Sequence, residues 1–319
     1  MLLKKLVEIE SPSGREEKIR EFVYNYLTDL GYDVIEGEYY LAVNKSDLIV
    51  ATHLDTVNIK RKFEFDGVYA YGTGACDAKA GVCAMLEAAE KGIDYTLAFF
   101  CDEEEGGKGS RDFVENWRYG KFAIVLEPTD LKIASKHYGS LECVLIVKGL
   151  EAHGATPEFG INAIEKAFEF IREFKDFRIT PLKIVGGSDE YVIPNSCELR
   201  FDIVFPPEIK LEDIKKTVEV VAKKYGDLKI VDESEGYVSG NVVKFLEEAI
   251  KSCGLKVEHT VMKSWTDAMN LKSRFDVVVW GAGELHLCHT KFERIKIEDI
   301  KKVRDVLIKL NEIYNLHDF

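Results

Sequence analysis

In the stretch LIVATHLDTV (48–57) a run of apolar residues ends in His53 and Asp55, one residue apart. Side chains two apart on an extended segment point to the same side. An imidazole and a carboxylate are therefore delivered together where an apolar run stops. The pattern recurs. TLAFFC (96–101) runs into Asp102-Glu103-Glu104-Glu105, FAIVL (122–126) into Glu127, and DVVVW (276–280) leads through GAG to His289. The glycine-rich YGTGACDAKAG carries Asp77 just ahead of a helical pattern. Carboxylates gathered at one place repel and raise one another's pKa, and a bound cation relieves that cost. Two histidines with three or four carboxylates suit borderline divalent ions such as Zn²⁺, Co²⁺ or Mn²⁺. Calcium and magnesium prefer shells made of oxygen alone.

Such side chains need strands to deliver them. The segments 48–52, 96–101, 122–126 and 276–280 are short, apolar and without alternation, as in strands buried on both faces. Helical patterns over 80–91, 241–252 and 297–314 lie around them. Ser13 followed by Glu16 reads as a capping box opening a first helix, which Gly31 ends. The expected fold is α/β: a doubly wound, mostly parallel sheet, with ligands at the carboxyl edge of the strands. Between about 138 and 235 the order becomes β-α-β-β-α-β, the ferredoxin-like pattern. Residues 1–136 and 236–319 thus form a catalytic domain, and 137–235 an inserted one.

Composition narrows the function. The chain has 319 residues, 46% hydrophobic and 31% charged, with a formal net charge of −13. Lys60-Arg61-Lys62 is its one short basic run of note, which argues against a nucleic-acid partner. No run of 18 apolar residues occurs, so no membrane span is expected. Seven scattered cysteines without a CxxC match reduced, cytoplasmic usage. GTGA (72–75) lacks the third glycine of a dinucleotide turn, and GGKGS (106–110) lacks the P-loop spacing.

Taken in order, THLDTV, YGTGACDAKAG, DEEEG, LEP, EAHGATPEFGINA, IPNSCELRFDIVFPP and GAGELHLCHTKFE resemble the M20 family of dinuclear metallopeptidases and aminoacylases, nearly end to end. The resemblance implies two divalent ions, zinc first and cobalt or manganese as alternatives. It implies His53, Asp77 and Glu127 as ligands of one and Asp77, Glu104 and His289 of the other, with Asp77 bridging. Asp55 would orient His53, and Glu103 would be the general base. The three glutamates are consecutive, so a register shifted by one, using Glu105, stays open. The peptide after Asp77 would be cis. His153 of the inserted domain would face the oxyanion, reaching the site of the other subunit of a homodimer. Asn195, Arg200 and Lys263 are candidate substrate contacts. His137, His259, His286 and His317 are expected to be structural or exposed, and Cys76 and Cys288 to pack rather than bind metal.

Within the family, the short chain, EEEGGKGSRDFV and GAGELHLCHTKFE look most like the archaeal branch that frees lysine or ornithine from an amino-group carrier protein. There the amide joins the amino acid to the carrier's C-terminal glutamate γ-carboxyl, so a small acidic carrier is the implied partner. Two departures touch the substrate pocket. KSWTDAMN (263–270) places its aspartate at Asp267, one position from the branch pattern, and DIVFPP has Val204 where an arginine is common. The alternative is a deacylase of acetyl-lysine or acetylornithine type, or an aminopeptidase or carboxypeptidase. A non-catalytic relative would be expected to lose the base or a ligand, and here all are present.

Overall fold

The computed structural model describes residues 1–58, 60–174 and 177–316. Its chain divides into two compact units, Met1–Lys136 with Ser239–Phe319, and His137–Val238.

In the first unit four strands pair in parallel in the order Thr96–Phe100, Leu48–His53, Phe122–Val125, Asp276–Val279. Tyr40–Val43, with Val34–Glu36 beyond it, extends one side antiparallel, and Ile133–His137 pairs antiparallel on the other. Alternate residues on these strands go to opposite faces. Leu48, Val50, Leu97 and Phe99 join a core with Leu3, Leu6, Ile19, Val23, Leu86 and Leu307. Tyr40 and Phe100 instead meet Phe113 of helix Lys108–Asn116, at ring-centroid distances of 5.1 and 5.3 Å. Helices therefore cover both faces, which is why the strands read as continuous apolar runs. The expected α/β class is met.

Two glycines set how closely helices approach the strands that carry the polar residues. A Cβ on Gly81, in helix Lys79–Ala89, would lie 2.9 Å from Thr52 Oγ1 and 3.2 Å from Leu126 Cβ. One on Gly109 would lie 2.5 Å from the Cys101 nitrogen and 2.7 Å from the Tyr39 carbonyl oxygen. Gly109 belongs to the GGKGS stretch, so that P-loop lookalike is a helix packed on a strand end.

The capping box does not form. Helix Leu2–Glu8 comes first, and the next runs Glu17–Asp29 with no side-chain cap hydrogen bond. Ser13 Oγ donates to Asp55 Oδ2 at 2.7 Å, and Glu16 Oε1 accepts the Asp102 N–H at 3.1 Å. Partners distant in sequence outcompete the local cap, because buried Asp55 and the Asp102 amide have greater need of partners than a helix end facing water.

The second unit is an antiparallel sheet ordered Ile179–Gly186, Ser196–Phe205, Gly139–Lys148, Gly226–Ser234. Its inward residues Leu141, Cys143, Leu145 and Val147 pack on Ala167 and Phe170 of helix Ala163–Glu173 and on Ile214 and Val218 of helix Leu211–Ala222. The connection is β-α-β-β-α-β. Asn162 caps the first helix, accepting from the Ile164 and Glu165 N–H groups.

Candidate metal centre

Parallel pairing brings the carboxyl ends of four strands to one edge, and the polar residues follow from there. His53 is the last residue of its strand and is fully buried. Its Nδ1 faces Asp55, 3.1 Å from the main-chain oxygen and 3.4 Å from Oδ1. Its Nε2 faces Asp77 Oδ1 at 3.0 Å and Glu127 Oε1 at 4.0 Å. Asp55 does more than orient this ring. Its Oδ1 accepts the Glu103 N–H and its Oδ2 the Glu104 N–H, both at 3.0 Å. One carboxylate thus holds the end of one strand and the turn after the next.

Asp77 is shared. Its Oδ2 lies 3.3 Å from His289 Nε2, which is also 2.9 Å from Glu104 Oε2. The Asp77–Ala78 peptide is cis. Ligand-type atoms of His53, Asp77 and Glu127 lie within 4.8 Å of one another, as do those of Asp77, Glu104 and His289, and those of His53, Glu103 and Glu104. Glu103 is buried among them, whereas Glu105 is exposed. A cavity of about 160 Å³ opens onto Asp77, Glu103, Glu104, Glu127 and His289, and Trp265, Thr266 and Leu285 wall it. A larger cavity of about 450 Å³, walled by Arg15, Lys62 and Phe63 among others, touches none of these carboxylates.

The electrostatics are those of a centre built around positive charge. Burial, then Glu127, Asp267 and Glu104, pushes Glu103 well up against the opposing charge of His53. Burial likewise drives Glu127 well up, and its Oε1 is buried with no hydrogen-bond partner. Asp77, Glu104 and then burial act on His289, where the carboxylates win and hold it up at about 10. Burial opposes protonation of His53, yet Glu103, Asp55 and Asp77 outweigh it and raise its pKa. An orphaned carboxylate oxygen, imidazole nitrogens aimed at carboxylates, and a mixed nitrogen and oxygen donor set all fit divalent cations of the zinc type.

The sequence profile of Peptidase family M20/M25/M40 matches residues 49–312. The chain belongs to that family. Its members are hydrolases, and this M20 chain has curated and structural relatives over nearly its whole length. The [LysW]-lysine/[LysW]-ornithine hydrolase of Sulfurisphaera tokodaii is 28% identical over 316 residues, 94% of this chain and 90% of that protein. The tripeptidase from Staphylococcus aureus superposes with a TM-score of 0.86 at 22% identity, covering 99% of this chain and 97% of that one. A dinuclear metal binding peptidase of Bacillus subtilis superposes at 0.74 and 14% identity, covering 98% and 96%.

The remaining expected residues lie elsewhere. His153 is exposed in the second unit, its ring edge-on to Tyr191 at 5.4 Å. Asn195 Nδ2 donates to Glu151 Oε2 at 3.1 Å. Arg200 is paired with Glu142 across neighbouring strands. Lys263 is exposed in the first unit, in the segment leading to Trp265. His137 is buried, His259 contacts Glu247 at 3.1 Å, and His286 is exposed; His317 lies outside the described residues. Cys76 and Cys288 are buried and hydrogen-bonded to each other, and neither joins a metal-type cluster among the described residues.

Sequence reading placed KSWTDAMN at the substrate pocket, and Trp265 and Thr266 of that stretch wall the cavity, though neither was named as a site residue. It missed Ser13 as a support of Asp55, having assigned it to a helix cap. Arg61, read only as part of a short basic run, donates from Nη1 to the main-chain oxygens of Lys291 and Glu293 at 2.6 and 3.3 Å. No sequence signal marked the roles of Ser13 and Arg61, since each depends on a partner more than 40 positions away.

Proposed function

We propose that this M20 hydrolase releases lysine or ornithine from the C-terminal glutamate γ-carboxyl of an amino-group carrier protein. The observation that carries the chemistry is the pair of triads His53/Asp77/Glu127 and Asp77/Glu104/His289 with Glu103 buried beside them. Those triads would hold two divalent cations, zinc first. Bound there, such ions supply Lewis acidity toward a water and toward an amide carbonyl. Glu103, its pKa raised by burial, takes a proton from the attacking water and returns it to the leaving amine. Asp55 keeps His53 in the tautomer that leaves Nε2 unprotonated for a metal. His153 donates to the developing oxyanion from the partner subunit of a homodimer, and Asn195, Arg200 and Lys263 contact substrate.

The substrate assignment rests on the likeness to the [LysW]-lysine/[LysW]-ornithine hydrolase. A cytoplasmic setting agrees with seven free cysteines. No described helix is long and apolar enough to cross a membrane.

A second reading is favoured by the superposition on a tripeptidase and by the displaced Asp267: a peptidase or deacylase acting on small free substrates. Metal-loaded protein is assayed on carrier-linked lysine, on N-acetyl-lysine, on N-acetyl-ornithine and on a tripeptide. Turnover of the carrier adduct with the highest kcat/KM is expected, and failure to cleave it removes the first reading. Glu103→Gln is expected to keep both metals and lose ~10²–10⁴-fold in kcat. Undiminished turnover would place the base elsewhere.

A further inference from the structure

Glu293 has no part in the roles above, yet it is 3% exposed and carries a carboxylate into the interior. That carboxylate accepts three main-chain N–H groups, from Gly74 at 3.2 Å, Cys76 at 3.0 Å and Asp77 at 3.2 Å. A buried carboxylate is costly without such donors. All three come from the turn that ends in Asp77, the residue common to both triads. Glu293 itself stands four residues after His289, the far ligand of the second triad.

The segment between them is held from other sides too. Arg61 donates to the carbonyls of Lys291 and Glu293 while its guanidinium lies over the Tyr71 ring at 4.7 Å. Thr290 Oγ1 donates to the Leu287 carbonyl at 2.7 Å and accepts the Phe292 N–H at 3.0 Å. Upstream of His289, Gly283 has φ +101, and a Cβ there would lie 2.1 Å from Cys76 Sγ. The Asp77 turn and the His289 segment are therefore joined on both sides of the histidine, by close packing before it and by the Glu293 carboxylate after it.

We infer that Glu293 is a positioning residue that fixes the spacing between Asp77 and His289, and with it the paired occupancy of the two cation sites. The inference rests on the metal reading of the centre and is independent of the substrate. An apolar residue at 293 would fill the space but leave three buried N–H donors unpaired on the Asp77 turn. An amide would turn one acceptor into a donor facing those donors.

The test is a cobalt titration of chelator-stripped full-length protein, followed by visible absorption and calorimetry. Wild type is expected to take up two Co²⁺ per chain. Glu293→Gln is expected to bind ~10–100-fold more weakly, as when other outer partners of metal ligands are removed. Its cobalt spectrum should shift, with far-UV circular dichroism unchanged. Glu293→Asp, which keeps the charge, should recover part of the affinity. Wild-type affinity and spectrum in Glu293→Gln would overturn the inference. So would an unfolded Glu293→Gln beside a Glu293→Asp of wild-type affinity, which would assign the residue to the fold alone. A wild type that takes up fewer than two ions would overturn the metal reading itself, and this inference with it.

Discussion

At the scale of single residues, Asp55 does the most for its size. It accepts from Ser13, from the Glu103 N–H and from the Glu104 N–H while facing His53 Nδ1. Burial alone would raise its pKa, but His53, Ser13 and the Glu104 amide hold it below the usual carboxylate value. Asp55→Asn puts an amide donor against donors, so metal affinity is expected to fall ~10–100-fold; calorimetric titration of the stripped variant checks this. Proton linkage gives a second expectation. Without metal, Asp77 and Glu104 hold His289 at about 10, so at neutral pH a metal must displace its proton. Metal affinity is expected to rise with pH, and uptake heats should differ between buffers of different ionisation enthalpy. Equal heats would show that no proton leaves. The same raised pKa stabilises the metal-free fold, fully below about 6.5 and no longer once the pH has risen through about 10.

At the scale of elements, the centre depends on how closely helices lie against strand ends. Gly109→Ala sets two effects against each other. Alanine gains about 1 kcal/mol of helix propensity. Its Cβ, however, would meet the Cys101 nitrogen at 2.5 Å, the Tyr39 oxygen at 2.7 Å and the Cys101 oxygen at 2.8 Å, all of them main chain. Overpacking of that kind costs about 1–3 kcal/mol, and backbone cannot swing aside as a side chain can. Net destabilisation is expected in a denaturant titration, with weaker metal binding, because Cys101 leads directly into Asp102, Glu103 and Glu104. The helices and strands near the centre were largely legible: continuous apolar runs marked the four parallel strands to within a residue or so. Short edge strands such as Tyr40–Val43 and helix Lys108–Asn116 were not, since four residues hold no period and two glycines with a lysine resemble a phosphate loop.

At the scale of the whole molecule, the proposal divides the labour between the two units and between two chains. If His153 acts in the partner's site, the Glu103→Gln and His153→Ala proteins should each be ~10²–10³-fold or more impaired. Mixed under conditions that exchange subunits, they should regain turnover, since one site of the mixed dimer has both an intact Glu103 and an intact His153. No recovery in a mixture shown by mass spectrometry to contain hybrids would place His153 in its own chain's site or outside catalysis. Chelation is expected to lower the thermal midpoint of every variant that keeps its ligands, because ions that bind only the folded chain stabilise it by mass action.

Residue types and their periods are local properties. From them alone came the α/β class, the β-α-β-β-α-β insertion, the strands ending in acids and histidines, and the kind of cation such side chains would suit. Distances between groups far apart in sequence are set by strand register and packing, which no local pattern encodes. Only the tertiary structure showed Ser13 turned from a helix cap to Asp55, Arg61 drawn from a basic run to the carbonyls behind His289, and Glu293 tied to the Asp77 turn. For Asp55 and Glu293 a buried carboxylate needed partners, and those it found are remote along the chain.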